Sequence, residues 1–126
     1  MNKKEFREYI AEVYGVEPDF PWESNPTFEV YRHTNNKKWF ALVMDIPRSR
    51  LGLEGDDIID VVNLKADSVM AGSLRLEKGI FPAYHMNKEK WISVALDGSV
   101  DDEKVKMLLD MSFELTGLKT HATRRD

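Results

Sequence analysis

Phe28-Glu29-Val30-Tyr31-Arg32-His33-Thr34-Asn35-Asn36-Lys37-Lys38-Trp39-Phe40-Ala41-Leu42-Val43-Met44-Asp45-Ile46 is the stretch that decides the fold. Phe28 and Val30 alternate with Glu29 and Tyr31, Thr34 to Lys37 supply turn residues that tolerate a positive φ, and Trp39 to Met44 is the longest unbroken apolar run in the chain. Two strands joined by a short polar connection form a β-hairpin, with strand 1 over 28–33 and strand 2 over 39–46. A period of two puts Phe40, Leu42, Met44 and Ile46 on one side of strand 2 and Trp39, Ala41 and Val43 on the other. The aliphatic side is assigned to the core. Trp39, and Tyr31 from strand 1, are then expected on a second face open to water.

Outward from this hairpin the chain keeps changing period. Phe6, Tyr9, Ile10 and Val13 form a helical stripe over 3–14, and Gly15 supplies a left-handed stop. Pro18, Pro21 and Pro26 bar that helix from continuing. A loop with Pro47, Gly52 and Gly55 leads to a β-branched run over 58–64, a third strand. Asp67 or Ser68 can cap a second helix that carries Val69, Met70, Leu74 and Leu76 and ends at Gly79. Tyr84 to Met86 and Trp91 to Leu96 flank the polar Asn87-Lys88-Glu89-Lys90 and read as a second hairpin, whose first strand Pro82 confines to an edge or a strand start. There Ile92, Val94 and Leu96 oppose Trp91, Ser93 and Ala95, so Trp91 joins Trp39 on the open face. Ser99-Val100-Asp101-Asp102 is a capping-box-like start for a last helix with Val105, Leu108, Leu109 and Phe113, closed by Gly117. The order is α-β(3)-α-β(2)-α, an α+β two-layer fold with one mostly antiparallel sheet and helices on one face. The 126 residues fit a single domain over 1–118. The rest, 119–126 with Lys119, Arg124 and Arg125, is expected to be a flexible basic tail.

Composition bounds the function. With 42% hydrophobic and 32% charged residues the chain can bury a core and keep a charged surface, which excludes disorder. No apolar run approaches the roughly 20 residues of a bilayer span, and the N-terminus has no apolar leader segment. The absence of cysteine removes disulfides and thiolate chemistry and fits a reducing compartment. The expectation is a soluble cytoplasmic protein that engages no membrane. Its net charge of −4 is unevenly spread. Residues 1–30 and 51–77 each sum to −4, whereas 31–50 sums to +4 through Arg32, Lys37, Lys38, Arg48 and Arg50 against Asp45. Residues 78–96 sum to +2 through Lys78, Lys88 and Lys90 against Glu89.

Familiar catalytic patterns do not occur. There is no Gly-x-Ser-x-Gly elbow, no P-loop and no Gly-x-Gly-x-x-Gly, and Gly52-Leu53-Glu54-Gly55 is an ordinary loop. His33, His85 and His121 lack the spacing that puts two ligands on one helix face. Asp56, Asp57 and Asp60 lack the EF-hand pattern and read as solvated charge. No catalytic residue, metal or cofactor is expected, and His85 reads as a hydrogen-bonded strand residue rather than a general base.

One combination rises above background: Lys37-Lys38-Trp39 and His85-Met86-Asn87-Lys88-Glu89-Lys90-Trp91, with Arg32 alongside. Lysines neutralise phosphates, aromatic rings stack on bases, and a β-ribbon tip fits a groove. The plainer reading has Trp39 and Trp91 packing across the sheet while the lysines solvate the tips and discourage edge pairing.

Pro82-Ala83-Tyr84-His85-Met86-Asn87-Lys88 followed by Trp91-Ile92 resembles the MmcQ/YjbR family of small bacterial proteins. Pro21-Trp22, Trp39-Phe40-Ala41, Asn63-Leu64-Lys65 and Ser112-Phe113-Glu114-Leu115 fall in that family's order, so the resemblance covers about residues 3–118. It implies the α-β(3)-α-β(2)-α fold, likened to CyaY (frataxin) and to secretion chaperones, and a non-enzymatic DNA-binding role through two β-hairpin wings. Carried over by residue, one wing holds Lys37, Lys38 and Trp39, and the other holds His85, Asn87, Lys88, Lys90 and Trp91. The expected function is weak, salt-dependent DNA binding. The alternative is an interaction module or chaperone-like adaptor that takes a protein partner, or a second copy, on the open face. A third reading, iron handling by analogy with the CyaY-like fold, would draw on Glu5, Glu8, Glu12, Asp56, Asp57 and Asp60, which otherwise read as solvated charge.

Overall fold

The computed structural model describes residues 1–117, so the basic tail expected at 119–126 lies outside the described residues. The elements are α1 (Lys3–Tyr14), β1 (Glu29–Arg32), β2 (Trp39–Pro47), a 3-10 turn (Arg48–Leu51), β3 (Ile58–Lys65), α2 (Ser68–Leu74), β4 (Ile80–Pro82), β5 (Trp91–Ala95) and α3 (Asp102–Thr116). The strands form one antiparallel sheet in the order β1-β2-β3-β5-β4. The α+β architecture and the order of elements are those expected.

Helix α1 starts at a capping box, with Asn2 Oδ1 accepting from the Glu5 amide at 2.8 Å and Glu5 Oε1 accepting from the Asn2 amide at 2.9 Å. It stops at Gly15, whose φ of +67° is the left-handed conformation that glycine adopts without steric cost. Phe6 and Ile10 are its fully buried residues, and they join Tyr31, Phe40, Val43, Val62, Leu64, Ile92, Val94, Leu108 and Leu109 in the core between helices and sheet.

The two faces of the sheet differ from the simple alternation expected for strand 2. Tyr31 pairs with Ala41 but Arg32 pairs with Trp39, so Phe40 is an extra residue, a β-bulge. Beyond it the pleat is reversed. Phe40, Ala41 and Val43 face the helices, while Trp39, Leu42, Met44 and Ile46 belong to the other side. Tyr31 is likewise buried under the helices, its hydroxyl donating to Glu29 at 2.6 Å, and not on the open face. Helix α3 supports the neighbouring ladder. The buried Ser112 hydroxyl donates to the Phe40 carbonyl at 2.6 Å and accepts from the Lys65 amide at 2.9 Å, bridging β2 and β3 just beyond their last pair, Leu42 and Asn63.

The second face is not bare. Val30, Leu42, Met44, Ile46, Ile59, Val61 and Ala95 form a smaller buried cluster, covered by Trp22, Phe28, Trp39, Leu51, Phe81, Tyr84 and Met86. These covering residues come from loops and sheet margins, so the face lacks helices but is largely closed.

Three elements depart from expectation. Helix α2 ends at Leu74, with Asp67 as its cap, and buries Ala71 and Leu74; Val69 and Leu76 are 83% and 87% exposed. Apolar spacing there is not the buried face. The first strand of the second hairpin is Ile80–Pro82, not Tyr84–Met86. Pro82 sits at the end of the edge strand, where its missing N–H interrupts no ladder. Helix α3 has no side-chain cap bond at Asp101; the α-ammonium of Met1 instead lies 2.6 Å from Asp102 in its first turn. Gly117 closes α3, in an extended rather than left-handed conformation.

Candidate functional site

Strand register brings the two basic loops to one end of the sheet. Trp39 begins β2, Leu42 pairs with Asn63 of β3, and Lys65 at the end of β3 pairs with Trp91 at the start of β5. The β1–β2 connection (33–38) and the β4–β5 connection (83–90) therefore project from the same edge of the molecule, with only β3 between their hairpins.

The first loop is held from below. The Lys37 amide donates to the His33 carbonyl at 3.0 Å, and the His33 amide donates to the Lys38 carbonyl at 2.9 Å. Asn36 ties the loop to α3, its Nδ2 donating to the Thr116 carbonyl at 3.0 Å while its Oδ1 accepts from the Lys38 amide. His33 is buried against Phe40 and Phe113, and its Nε2 lies 2.8 Å from the Thr116 hydroxyl. That hydroxyl donates to the Ser112 carbonyl, so it accepts from a protonated Nε2. Burial pushes the His33 pKa below the usual histidine value, against the raising effects of the Phe113 carbonyl and Glu114. Lys37 and Lys38 themselves are exposed.

The second loop is anchored by a buried polar network. The Ser93 hydroxyl donates to Asn63 Oδ1 at 2.5 Å and accepts from the Tyr84 amide at 3.0 Å, while Asn63 Nδ2 donates to the Tyr84 carbonyl at 2.8 Å. Both Asn63 and Ser93 are fully buried. Arg50 Nη1 donates to the Tyr84 hydroxyl at 3.0 Å. Further out, Asn87 makes the turn, its side-chain oxygen accepting from the Glu89 amide and its carbonyl from the Lys90 and Trp91 amides. Arg75 Nη1 donates to the Lys88 carbonyl at 2.8 Å. Lys88 and Lys90 are exposed. Among the described residues none of Lys37, Lys38, Lys88 and Lys90 pairs with a carboxylate.

On the loop-covered face of the sheet, between the 22–28 segment, β2 and the second loop, lies a cavity of about 360 Å³ lined by Trp22, Asn25, Phe28, Trp39, Leu42, Met44, His85 and Met86. Trp22 meets Trp39 edge-on, with ring centroids 5.6 Å apart, and Phe28 likewise at 6.1 Å. The Arg32 guanidinium stands 5.5 Å from the Trp39 ring and pairs with Asp19 at 2.7 Å, so it orients the indole from outside. His85 is an exposed loop residue, not a strand residue, and its ring lies against Tyr84 with centroids 3.9 Å apart. Its φ is +62°, and that of Lys37 is +65°; among the described residues these are the two non-glycine positions with positive φ, one in each loop.

Of the expected site residues, the structure thus gathers Arg32, Lys37, Lys38, Trp39, His85, Asn87, Lys88 and Lys90 at one end. Trp91 starts β5 at that end, half-buried, and does not line the cavity. Trp22, Asn25, Phe28 and Met86 line the cavity but are not among the contact residues expected from sequence. The available signal is Trp22, an aromatic residue in the proline-interrupted stretch after α1 with no periodic element to bury it. Three of the six acidic residues of the iron reading are engaged elsewhere: Glu5 in its capping box, Glu8 with Lys4 at 2.8 Å and Asp56 with Ser49 at 3.0 Å. Among the described residues no three His, Asp or Glu side chains cluster as a metal site.

Three helices on one face of a five-stranded antiparallel sheet, with two basic loops at one end, define the class: a small two-layer α+β protein. A YjbR family model matches residues 11–115, and the chain belongs to the YjbR family. It is 39% identical to the uncharacterized protein YyaQ of Bacillus subtilis over 116 residues, 92% of this chain and 98% of YyaQ. A crystal structure of a Pseudomonas syringae protein matches with a TM-score of 0.91 at 46% identity, covering 93% of this chain and all of that one. A Deinococcus radiodurans protein with the DUF419 domain matches with a TM-score of 0.72 at 25% identity, over 98% of this chain and 86% of that one.

Proposed function

We propose that this protein is a cytoplasmic, non-catalytic nucleic-acid-binding module, and that Lys37 and Lys38 on one loop and Lys88 and Lys90 on the other contact phosphates. The observation that carries this reading is their placement. Two pairs of exposed lysines, free of carboxylate partners among the described residues, stand on anchored loops at the same end of the sheet. Strands lie about 4.8 Å apart, so β2 and β5, two spacings apart, set the loops roughly 10 Å from one another at their roots, within reach of a single phosphate backbone. The acidic stretches do not oppose this, because 1–30 and 51–77 hold most of the negative charge while the two loop segments are positive. Four lysine–phosphate contacts predict a slope of log K against log salt of about −3 to −4, and an affinity that is low at physiological ionic strength. Phosphate contacts position without reading sequence, so little sequence preference is expected.

The test is anisotropy of labelled DNA titrated with the protein at low and near-physiological salt. Replacing Lys37, Lys38, Lys88 and Lys90 together by Glu abolishes binding in this reading while the circular dichroism spectrum stays that of the folded protein. Unchanged binding by that variant would remove the lysine loops from any role in DNA contact.

A further inference from the structure

We infer that the cavity between the 22–28 segment, β2 and the second basic loop receives an unpaired nucleobase, so that the preferred ligand is single-stranded nucleic acid; this rests on the phosphate-binding role of the loops. Its walls supply what a base face requires. Trp22, Phe28 and Trp39 are aromatic, Met44 and Met86 are polarizable thioethers, and a volume of about 360 Å³ lies at the small end of ligand pockets, in the range of one planar ring system. Asn25 and His85 add donors and acceptors for the edge of a base. No carboxylate lines it, so nothing repels a phosphate-bearing ligand. Its position is equally specific. Lys37 and Lys38 directly precede Trp39, and Lys88 and Lys90 follow Met86, so each lysine pair adjoins in sequence a residue of the cavity wall. The two positive-φ side chains, Lys37 and His85, stand at this same end, and left-handed backbone at non-glycine residues concentrates at ligand-binding positions. A duplex must first give up a paired and stacked base to fill the cavity, whereas a single strand offers one freely.

The experiment compares a labelled single-stranded homopolymer, the matching duplex and a free mononucleotide, with anisotropy and intrinsic tryptophan emission as readouts. The protein is expected to bind the single strand about tenfold more tightly than the duplex, with quenched tryptophan emission. Asn25→Trp, which plugs the cavity from an exposed loop position, should lower single-strand affinity by about tenfold and leave duplex affinity unchanged. His85→Gly, a substitution favoured by the φ of +62°, keeps the fold and should lower single-strand affinity in the same sense. Equal affinity for both forms with neither variant altered would overturn the nucleobase pocket while leaving the lysine contacts standing. Binding lost in the four-lysine variant but native in both cavity variants would overturn the pocket in the same way. A mononucleotide that binds as tightly as the strand would overturn the strand assignment and leave a nucleotide site. No binding of any of the three would remove the phosphate-binding reading itself.

Discussion

His33 shows how one residue couples the loop to the stability of the fold. It is buried under the first basic loop between Phe40 and Phe113, where burial disfavours the imidazolium and lowers its pKa. In the unfolded chain the same side chain titrates at about 6.5. Above that pH the residue is neutral in both states and its contribution is fully present; as pH falls through 6.5 toward the lower folded value, only the unfolded state takes up the proton and stability is lost. Chemical denaturation at pH 7.5 and 5.5 should therefore show a falling midpoint that His33→Gln makes flatter, and an unaltered pH dependence in that variant would refute the assignment. At this scale the sequence was only partly legible. Lys37, Lys38, Lys88 and Lys90 could be placed on exposed turns because lysine between strands has few other homes. His85 could not, since nothing local announces that a histidine will take a positive φ outside a strand.

At the scale of elements, the long periodic segments were the readable ones. Helix α1 has the bounds its apolar stripe predicts, and β2 runs one residue further than expected, to Pro47. The bulge at Phe40 was not readable, because a single inserted residue reverses the pleat without changing composition. That reversal sends Leu42, Met44 and Ile46 to the loop-covered face and so creates part of the cavity wall. Helix α2 misled because Val69 and Leu76 carry helical spacing but point to solvent. Leu76→Ser is accordingly expected to alter unfolding free energy by less than about 0.5 kcal/mol, and a larger loss would mean that this surface is covered. The second basic loop depends on buried partners far away in sequence. Ser93→Ala leaves the Asn63 carboxamide oxygen and the Tyr84 amide without their partner, and should cost about 1–3 kcal/mol in urea denaturation. Amide exchange at Tyr84 and His85 should accelerate in the same variant; exchange at the native rate would show that the network does not hold the loop.

The whole molecule has two unlike faces. One face of the sheet and three helices make the main core, the opposite face, closed by loops, carries the cavity, and the lysines stand on the connections at one end of the sheet. This division was visible from sequence as the α-β(3)-α-β(2)-α order and as alternating acidic and basic segments. The cavity was not, because it joins residues 22–28, β2 and 85–86, which only the tertiary fold brings together. A net charge of −4 is compatible with nucleic-acid binding here because the charge is partitioned along the chain, and the partition predicts binding that is local and salt-sensitive. The most direct measurement is the salt dependence of DNA binding by anisotropy, with the native protein beside the variant carrying Glu at positions 37, 38, 88 and 90. Saturable binding that falls with a log–log slope of about −3 to −4, and disappears in the variant, is the predicted result. Absence of binding at low salt, or binding that the four substitutions leave intact, would contradict it.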